Sequence, residues 1–449
     1  MNKFFQTIAN IFKIEELRNR ILLTIGFIAI YRLGSFVVLP GIDTEVLGSN
    51  EATGLAALLN LFAGGAFSRA SVFALGIMPY ISASIVMQLL GIAVPSVQKL
   101  QKDGESGRNK INQWTRWLTV AITLGQAPGY LATQVPQNAI VDPGFFSFTL
   151  PAIVILSAGT LFVMWLGEKI TDKGIGNGIS LIIMIGIIAN LPTAFLTEWE
   201  SQMGDLGGGL VVVLLELAIL LFVILITILL VQGVRRVPIQ FAKKIMGVQQ
   251  MGGARQFIPL KVNAAGVMPI IFAQALMMLP ITLAGFAASA EGDTGDAFTS
   301  FAAMFSDVSG VYYNTTFAIL IIVFTYFYTA ITVNPQQMAD DLKKNGGFVP
   351  GVKPGKDTAN FLDTILSKIT LPGSIFLALI AILPAFAIKA GVAQSFSYFF
   401  GGTSLLIMVG VILDTLQQIE SYLLMRHYDG LTESGKLKGR STGAFGGTI

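Results

Sequence analysis

Apolar stretches long enough to cross a bilayer alternate with short polar ones along the chain. A span needs about 20 mostly apolar residues. Ten segments qualify, near 21–40, 72–92, 116–135, 150–167, 178–196, 209–232, 264–286, 316–333, 371–391 and 401–425. The third is the weakest, because Gln126, Pro128 and Gln134 dilute it. Residues 1–20 read differently. Phe4, Phe5, Ile8, Ile11 and Phe12 recur at helical spacing with Lys3, Lys13, Arg18 and Arg20 between them, the pattern of a helix lying in the headgroup plane. No small-residue cleavage site follows, as it would after a signal peptide. The stretch GLAALLNLFAGGAFSRAS (Gly54–Ser71) is apolar but too short to span, and Gly64-Gly65 breaks it. Such a half-helix is tolerated where it packs inside protein or lines a cavity; the alternative is an external loop with an amphipathic turn.

Ten spans divide into five and five, with residues 233–262 at the join. An odd number per half inverts the second half relative to the first. One trace of a repeat is visible: Gly76-Ile77-Met78-Pro79-Tyr80-Ile81 opens the second span, and Gly266-Val267-Met268-Pro269-Ile270-Ile271 opens the seventh. The expected fold is an all-α polytopic membrane protein of ten transmembrane helices in two inverted five-helix halves. Its parts are a surface helix over 1–20, a first half over 21–196, a second half over 209–425 and a tail over 426–449. The second half carries cytoplasmic loops at about 233–262 and 334–370.

Composition agrees. Of 449 residues 53% are hydrophobic and 12% charged, against about 25% charged in soluble domains. Cysteine is absent, which excludes disulfides, thiolate nucleophiles and Cys-ligated metals, and the single histidine, His427, argues against a His-based metal site or triad. No cofactor and no catalytic constellation is expected. Charge matters by its placement. One set of connections holds Lys99, Lys102, Arg108, Lys110, Arg116, Lys169, Lys173, Lys343, Lys344, Lys353, Lys356 and the basic tail; the alternate set has only Arg69 and Lys389 as cations and is rich in acids, Glu198 and Glu200 among them. Positive-inside bias puts both termini in the cytoplasm.

Little else points to chemistry. GIGNGIS (Gly174–Ser180) is Gly-rich but follows no strand, and reads as a turn and cap before the fifth span. Asn314-Thr315-Thr316 fits a glycosylation sequon, a weak pattern. An ion-coupled secondary transporter carries ionisable residues within its spans, for which Arg32, Glu216 and Asp414 are a thin set. Ser82, Gln88, Asn263 and Gln274 read first as interhelical glue. The segment RRVPIQFAKKIMGVQQMGGARQFIPLK (Arg235–Lys261) holds six cations and no acid. Fixing topology or binding anionic lipid needs only a few such residues near the span ends. A long unpaired basic surface suits a polyanion such as RNA or an acidic protein, and the secondary-transporter reading leaves it unexplained.

Long stretches of the chain closely resemble the SecY family, the pore subunits of the bacterial protein-secretion channel. They include RLGSFVVLPGID (Arg32–Asp43), GGAFSRASVFALGIMPYISASIVMQLL (Gly64–Leu90), DGESGRNKI (Asp103–Ile111), MWLGEKITDKGIGNGIS (Met164–Ser180), IPLKVN (Ile258–Asn263), FVPGVKPG (Phe348–Gly355) and YFFGGTSLLI (Tyr398–Ile407). The resemblance implies a non-enzymatic, protein-conducting channel subunit with an hourglass pore, passing unfolded polypeptides across the bacterial cytoplasmic membrane and membrane segments sideways into it. It implies a pore ring of Ile77, Ile81, Ile179, Ile183, Ile271 and Ile407, whose β-branched side chains are stiff and whose narrow apolar ring blocks ions by dewetting. It implies a plug containing Leu58, Asn60, Phe62, Gly64, Gly65 and Phe67, and a lateral gate between the second and seventh spans, near Ser82, Gln88, Asn263 and Gln274. The cations Arg235, Arg236, Lys243, Lys244, Arg255 and Lys353 would dock the ribosome (its rRNA and the proteins at its exit tunnel) or a SecA motor ATPase. Members of the family commonly carry Arg where this chain has Lys353, which keeps the charge but loses the bidentate fork. Small SecE-like and SecG-like subunits, signal sequences, substrate chains and membrane lipid complete the implied partners.

Overall fold

Hydrocarbon offers backbone groups no hydrogen bonds, so a spanning chain must pair them within itself. The computed structural model describes residues 14–43, 55–204, 208–241, 244–246, 249–251, 255–277 and 307–433. Its helices are α1 (Glu15–Gly34), α2 (Leu55–Phe62), α3 (Met78–Ala93), α4 (Pro95–Lys102), α5 (Glu105–Gln134), α6 (Leu150–Lys173), α7 (Gly178–Met203), α8 (Gly209–Gln232), α9 (Met268–Met277), α10 (Val311–Thr332), α11 (Pro335–Lys344), α12 (Lys356–Lys389), α13 (Gln394–Ser397) and α14 (Gly402–Glu433). The amphipathic segment expected at 1–20 lies outside the described residues up to residue 13; Glu15 to Arg20 belong to α1. Most of the tail, from 434 on, also lies outside them.

Among the described residues six helices are long and apolar enough to cross a membrane, ending with Gly402–Leu423 within α14. They become seven if α3 and Pro95–Gln101 form one span, bent by 105°. The bend falls at extended Val94, as expected of a residue that precedes proline. The other expected spans meet the structure unevenly. Helix α1 is interrupted by Arg18, Arg20 and Arg32. Helix α9 ends where the described residues do, at Met277. Helix α5 is 30 residues long and amphipathic. Its buried Thr115, Thr119 and Thr123 each donate a hydroxyl to the carbonyl four residues back, at 2.9, 2.8 and 2.7 Å, so these polar residues enter the interior already paired. Helix α8 is the reverse case. Its only charge is Glu216, and Val211, Leu214, Leu215, Leu221, Phe222, Leu225 and Leu229 all point outward, as a lipid-facing helix must.

Several helices outrun their apolar stretches. Helix α7 continues past 196 to Met203, so Glu198, read above as part of an outer connection, is helical and fully buried. Helix α12 begins at Lys356, well before the apolar run at 371, and its 34 residues measure about 51 Å.

Among the described residues strands appear only in the two basic connections, where the sequence reading had loops. Strand β1 (Val234–Phe241) pairs antiparallel with β4 (Arg255–Lys261), with Val237 opposite Ile258 and Arg235 opposite Leu260. Its other edge takes β5 (Gly347–Phe348) through Gln240 and Phe241. A separate two-stranded piece pairs β2 (Lys244–Met246) with β3 (Gln249–Met251). The alternation of strand side chains explains the sheet: Val237 and Ile239 are buried while Arg236 and Pro238 are exposed. Val237 and Leu260 join Leu362 and Leu366 of α12 in a small core, flanked by Met338 of α11. Truncation of Leu260 to Ala should cost this core about 2–4 kcal/mol. Amide exchange should then quicken in β1 and β4 and stay unchanged in α6 and α7.

Candidate functional site

The helices surround a cavity of about 50 Å³, lined among others by Ile77, Ile81, Ile183, Ile271, Ile407 and Phe62. Since one water needs about 10–15 Å³, the space holds a few waters and no polypeptide. Of the six isoleucines expected at a ring, these five meet at the cavity. Ile179 does not line it; it sits one turn earlier on α7, against Gly167 of α6, where a side-chain carbon would come within 3.0 Å of its Cγ1. Three local structures aim the isoleucines. Ile77 and Val267 sit at matching turns, each preceded by a glycine in the left-handed region, Gly76 at φ 54° and Gly266 at φ 64°, and each followed by Met-Pro at a helix start. Ile183 lies on α7, whose start is capped by Asn177: its Oδ1 accepts from the amides of Ile179 and Ser180 at 3.2 and 3.5 Å. Ile407 lies on α14.

The segment from α2 to Ser71 closes one side of the cavity. Leu58, Phe62 and Phe67 are buried, and Leu59, Phe62, Ala63 and Phe67 reach the cavity. After Phe62 the helix breaks, with Gly64 at φ 65° and Gly65 at φ 84°. Side chains of surrounding helices donate to carbonyls around the break, three of which also accept a backbone amide. Tyr31 donates to Ala63 O at 3.4 Å, Arg32 to Gly64 O at 3.0 Å, Tyr130 to Phe67 O at 2.7 Å, and Asn190 to Leu61 O at 3.3 Å. Within the segment Arg69 also donates to Gly64 O at 2.9 Å, and Asn60 Oδ1 accepts from the amide and hydroxyl of Ser68, each at 3.0 Å. Gly186 of α7 lets the segment approach, since a β-carbon there would lie 2.3 Å from Phe62 O. The sequence reading missed Tyr31, Tyr130 and Asn190 in this role. Their signal was a polar tip set in an otherwise apolar span. Arg32, weighed above as part of an ion relay, is instead spent on a backbone carbonyl.

The residues expected at a lateral gate lie on elements that touch. Helix α9 packs against α3. Ser82 and Gln88 are half-buried on α3, and Gln88 donates to Ser84 Oγ at 3.3 Å. Gln274 of α9 is buried and reaches the cavity. Asn263 is buried in the turn before α9.

Of the basic residues, Arg235 and Arg236 are exposed on β1, and Lys353 is exposed in the turn before α12. Lys244 lies in β2 and Arg255 opens β4, opposite Gln240. Lys243 lies outside the described residues. The β1–β5 pairing places the two basic connections side by side.

A bundle of apolar helices around an occluded passage, with a piece of the same chain folded into it, defines a multi-pass membrane channel. Residues 71–416 match the family model described as SecY. The protein translocase subunit SecY of Streptomyces scabiei is 42% identical over 439 residues, covering 94% of this chain and 98% of that protein. That of Halalkalibacterium halodurans is 43% identical, covering 95% and 99%, and that of Escherichia coli K12 is 41% identical, covering 94% and 96%. Among solved structures, a protein conducting channel shares the fold with a TM-score of 0.63 at 17% identity, covering 90% of this chain and 92% of that one. Sec61 in the canine ribosome-channel complex gives 0.59 at 16%, with the same coverage. The chain belongs to the SecY family. It is a protein translocation channel subunit rather than an enzyme.

Replacing Gly186 with Ala should push residues 62–64 away from α7. The chain has no native cysteine, so a single Ser68→Cys reporter should then react faster with a membrane-impermeant maleimide.

Proposed function

We propose that Ile77, Ile81, Ile183, Ile271 and Ile407 form the constriction through which unfolded polypeptide passes, and that the segment around Leu58–Phe67 is the plug that withdraws to admit it. The observation that carries this reading is the convergence of isoleucines from α3, α7, α9, α14 and the turn before α3 on one small cavity that Phe62 and Phe67 close. An apolar collar resists wetting by ions and offers a passing chain no hydrogen bonds. Ile179, off the cavity, serves the ring by packing α7 on α6. The seam between α3 and α9, with Ser82, Gln88 and Gln274 along it and Asn263 at its base, is the lateral exit for membrane segments and signal sequences.

In this reading the sheet carrying Arg235 and Arg236, with Lys243, Lys244, Arg255 and Lys353, faces the cytoplasm, as do both termini. It docks a ribosome or a SecA motor ATPase. The protein sits in a bacterial cytoplasmic membrane and assembles with SecE-like and SecG-like subunits. Support comes from the exposure of Arg235, Arg236 and Lys353 and from the fold shared with a ribosome-bound Sec61 channel.

Two experiments test the reading. Changing Ile81 and Ile407 together to Ser should raise ion leak through the resting channel in planar bilayers, at a stability cost of about 1–3 kcal/mol per site. Background conductance with the same loss of stability would mark them as packing residues only. Reversing Lys243, Lys244 and Arg255 to Glu should weaken binding of ribosomes and SecA and flatten its salt dependence, with membrane insertion intact. Affinity unchanged at low salt would overturn the docking assignment.

A further inference from the structure

Glu198 of α7 and Glu216 of α8 are buried, at 0% and 5% exposure, on helices that pack against one another, and their carboxyl groups interact. Neither forms an ion pair among the described residues. Glu198 accepts from Gln202 Nε2 at 2.8 Å and from the amide of Ala393 at 2.6 Å, using one oxygen for each. Gln202 in turn accepts from the amide of Gly208 at 3.1 Å. Glu216 Oε2 is buried with no donor facing it.

Two carboxylates in contact in a low-dielectric site cannot both be ionised. The donors sort the two roles. Glu198 receives an N–H on each oxygen, which suits an anion, whereas Glu216 receives none at Oε2. We propose that the two carboxyls form a proton-binding site in which a neutral Glu216 donates its proton to an ionised Glu198. The bound proton keeps α8 against α7 and, through Glu198, keeps both on the segment leading into α13 and α14. Phe195 packs edge-on to Phe396 beside it, with ring centroids 6.0 Å apart, so the clamp has an apolar half as well.

Among the described residues the surroundings leave the pair to set its own charge. Helix α8 has no other charged residue, α13 has none, and α14 has none before Asp414, which is exposed. Glu200 on α7 and Lys389 at the end of α12 are both exposed, and Asp205 lies outside the described residues. Loss of the proton would place two negative charges in one buried site and drive α7, α8 and the 390–394 segment apart.

The test uses the purified full chain with its partner subunits. At neutral pH its infrared spectrum should contain the C=O stretch of a protonated carboxylic acid that is missing from Glu216→Gln. The native pair holds one proton more than the same carboxyls exposed to water at neutral pH, so stability should fall as pH rises. The melting temperature should drop by about 2–4 °C between about pH 6 and about pH 9, and Glu216→Gln, which keeps a donor but cannot ionise, should lack this drop. If Glu216→Gln does not fold, Glu216→Leu, which also cannot ionise, is measured instead and should likewise lack the drop. An unchanged carboxylic band in Glu216→Gln, or the same pH dependence in native and variant chains, overturns the proposal. So does an absent band together with stabilisation by added sodium or calcium, which would make the pair a metal-cation site.

Discussion

The structure depends on one constraint: backbone polar groups surrounded by apolar helices must find partners. Most find them inside helices. The stretch from Phe62 to Ser71 cannot, because it turns back on itself through Gly64 and Gly65, and its carbonyls would each cost several kcal/mol if left bare. Side chains add donors: Arg32 to Gly64 O, Tyr31 and Tyr130 to Ala63 O and Phe67 O beside their backbone amides, and Asn190 to Leu61 O just before the stretch. The segment is thus held by a few hydrogen bonds at its carbonyls and by two phenylalanines at the cavity. Each bond is worth about 1 kcal/mol net, a strength that suits the withdrawing plug proposed above.

The sequence made the helices legible but not their ends. Hydropathy marks where lipid stops, whereas a helix stops where its hydrogen-bonding and capping do. Helix α5 begins at Glu105 and α12 at Lys356, because both run on into water, where charged side chains carry no penalty. Helix α7 also outruns its apolar stretch, so Glu198 looked like a loop residue and proved to be buried on its last turns. At α3 the error ran the other way: Pro79 suits only the first turn of a helix, so the apolar residues before Met78 are turns. The strands of the basic connection were also written in the chain, as the alternation of Val237 and Ile239 with Arg236 and Pro238. The density of positive charge drew the eye to partners instead of to that period.

The site was less legible than the fold. Nothing in the spacing of Ile81 or Ile407 separates them from dozens of other aliphatic residues, and it took the family resemblance to single them out. The structure brings five of those six residues to one cavity and leaves Ile179 beside it, a distinction of one helical turn that composition cannot express. Tyr31 and Tyr130 were invisible for another reason. A tyrosine in a span is ordinary, and its task is fixed only by which carbonyl comes within reach once the neighbouring segment has folded.

The sheet formed by β4, β1 and β5 has a mechanical consequence. Its strands arise from connections about a hundred residues apart in the chain, yet they are hydrogen-bonded into one plate resting on the end of α12. A load applied anywhere on that plate is shared by every helix attached to it. Strands β1 and β4 run directly from α8 and into the turn before α9, and β5 sits between α11 and α12. In the reading proposed above, the plate is a lever arm outside the bilayer. A push at its rim becomes a torque on α9, which carries Ile271 and Gln274, with no need for the pushing object to reach the cavity.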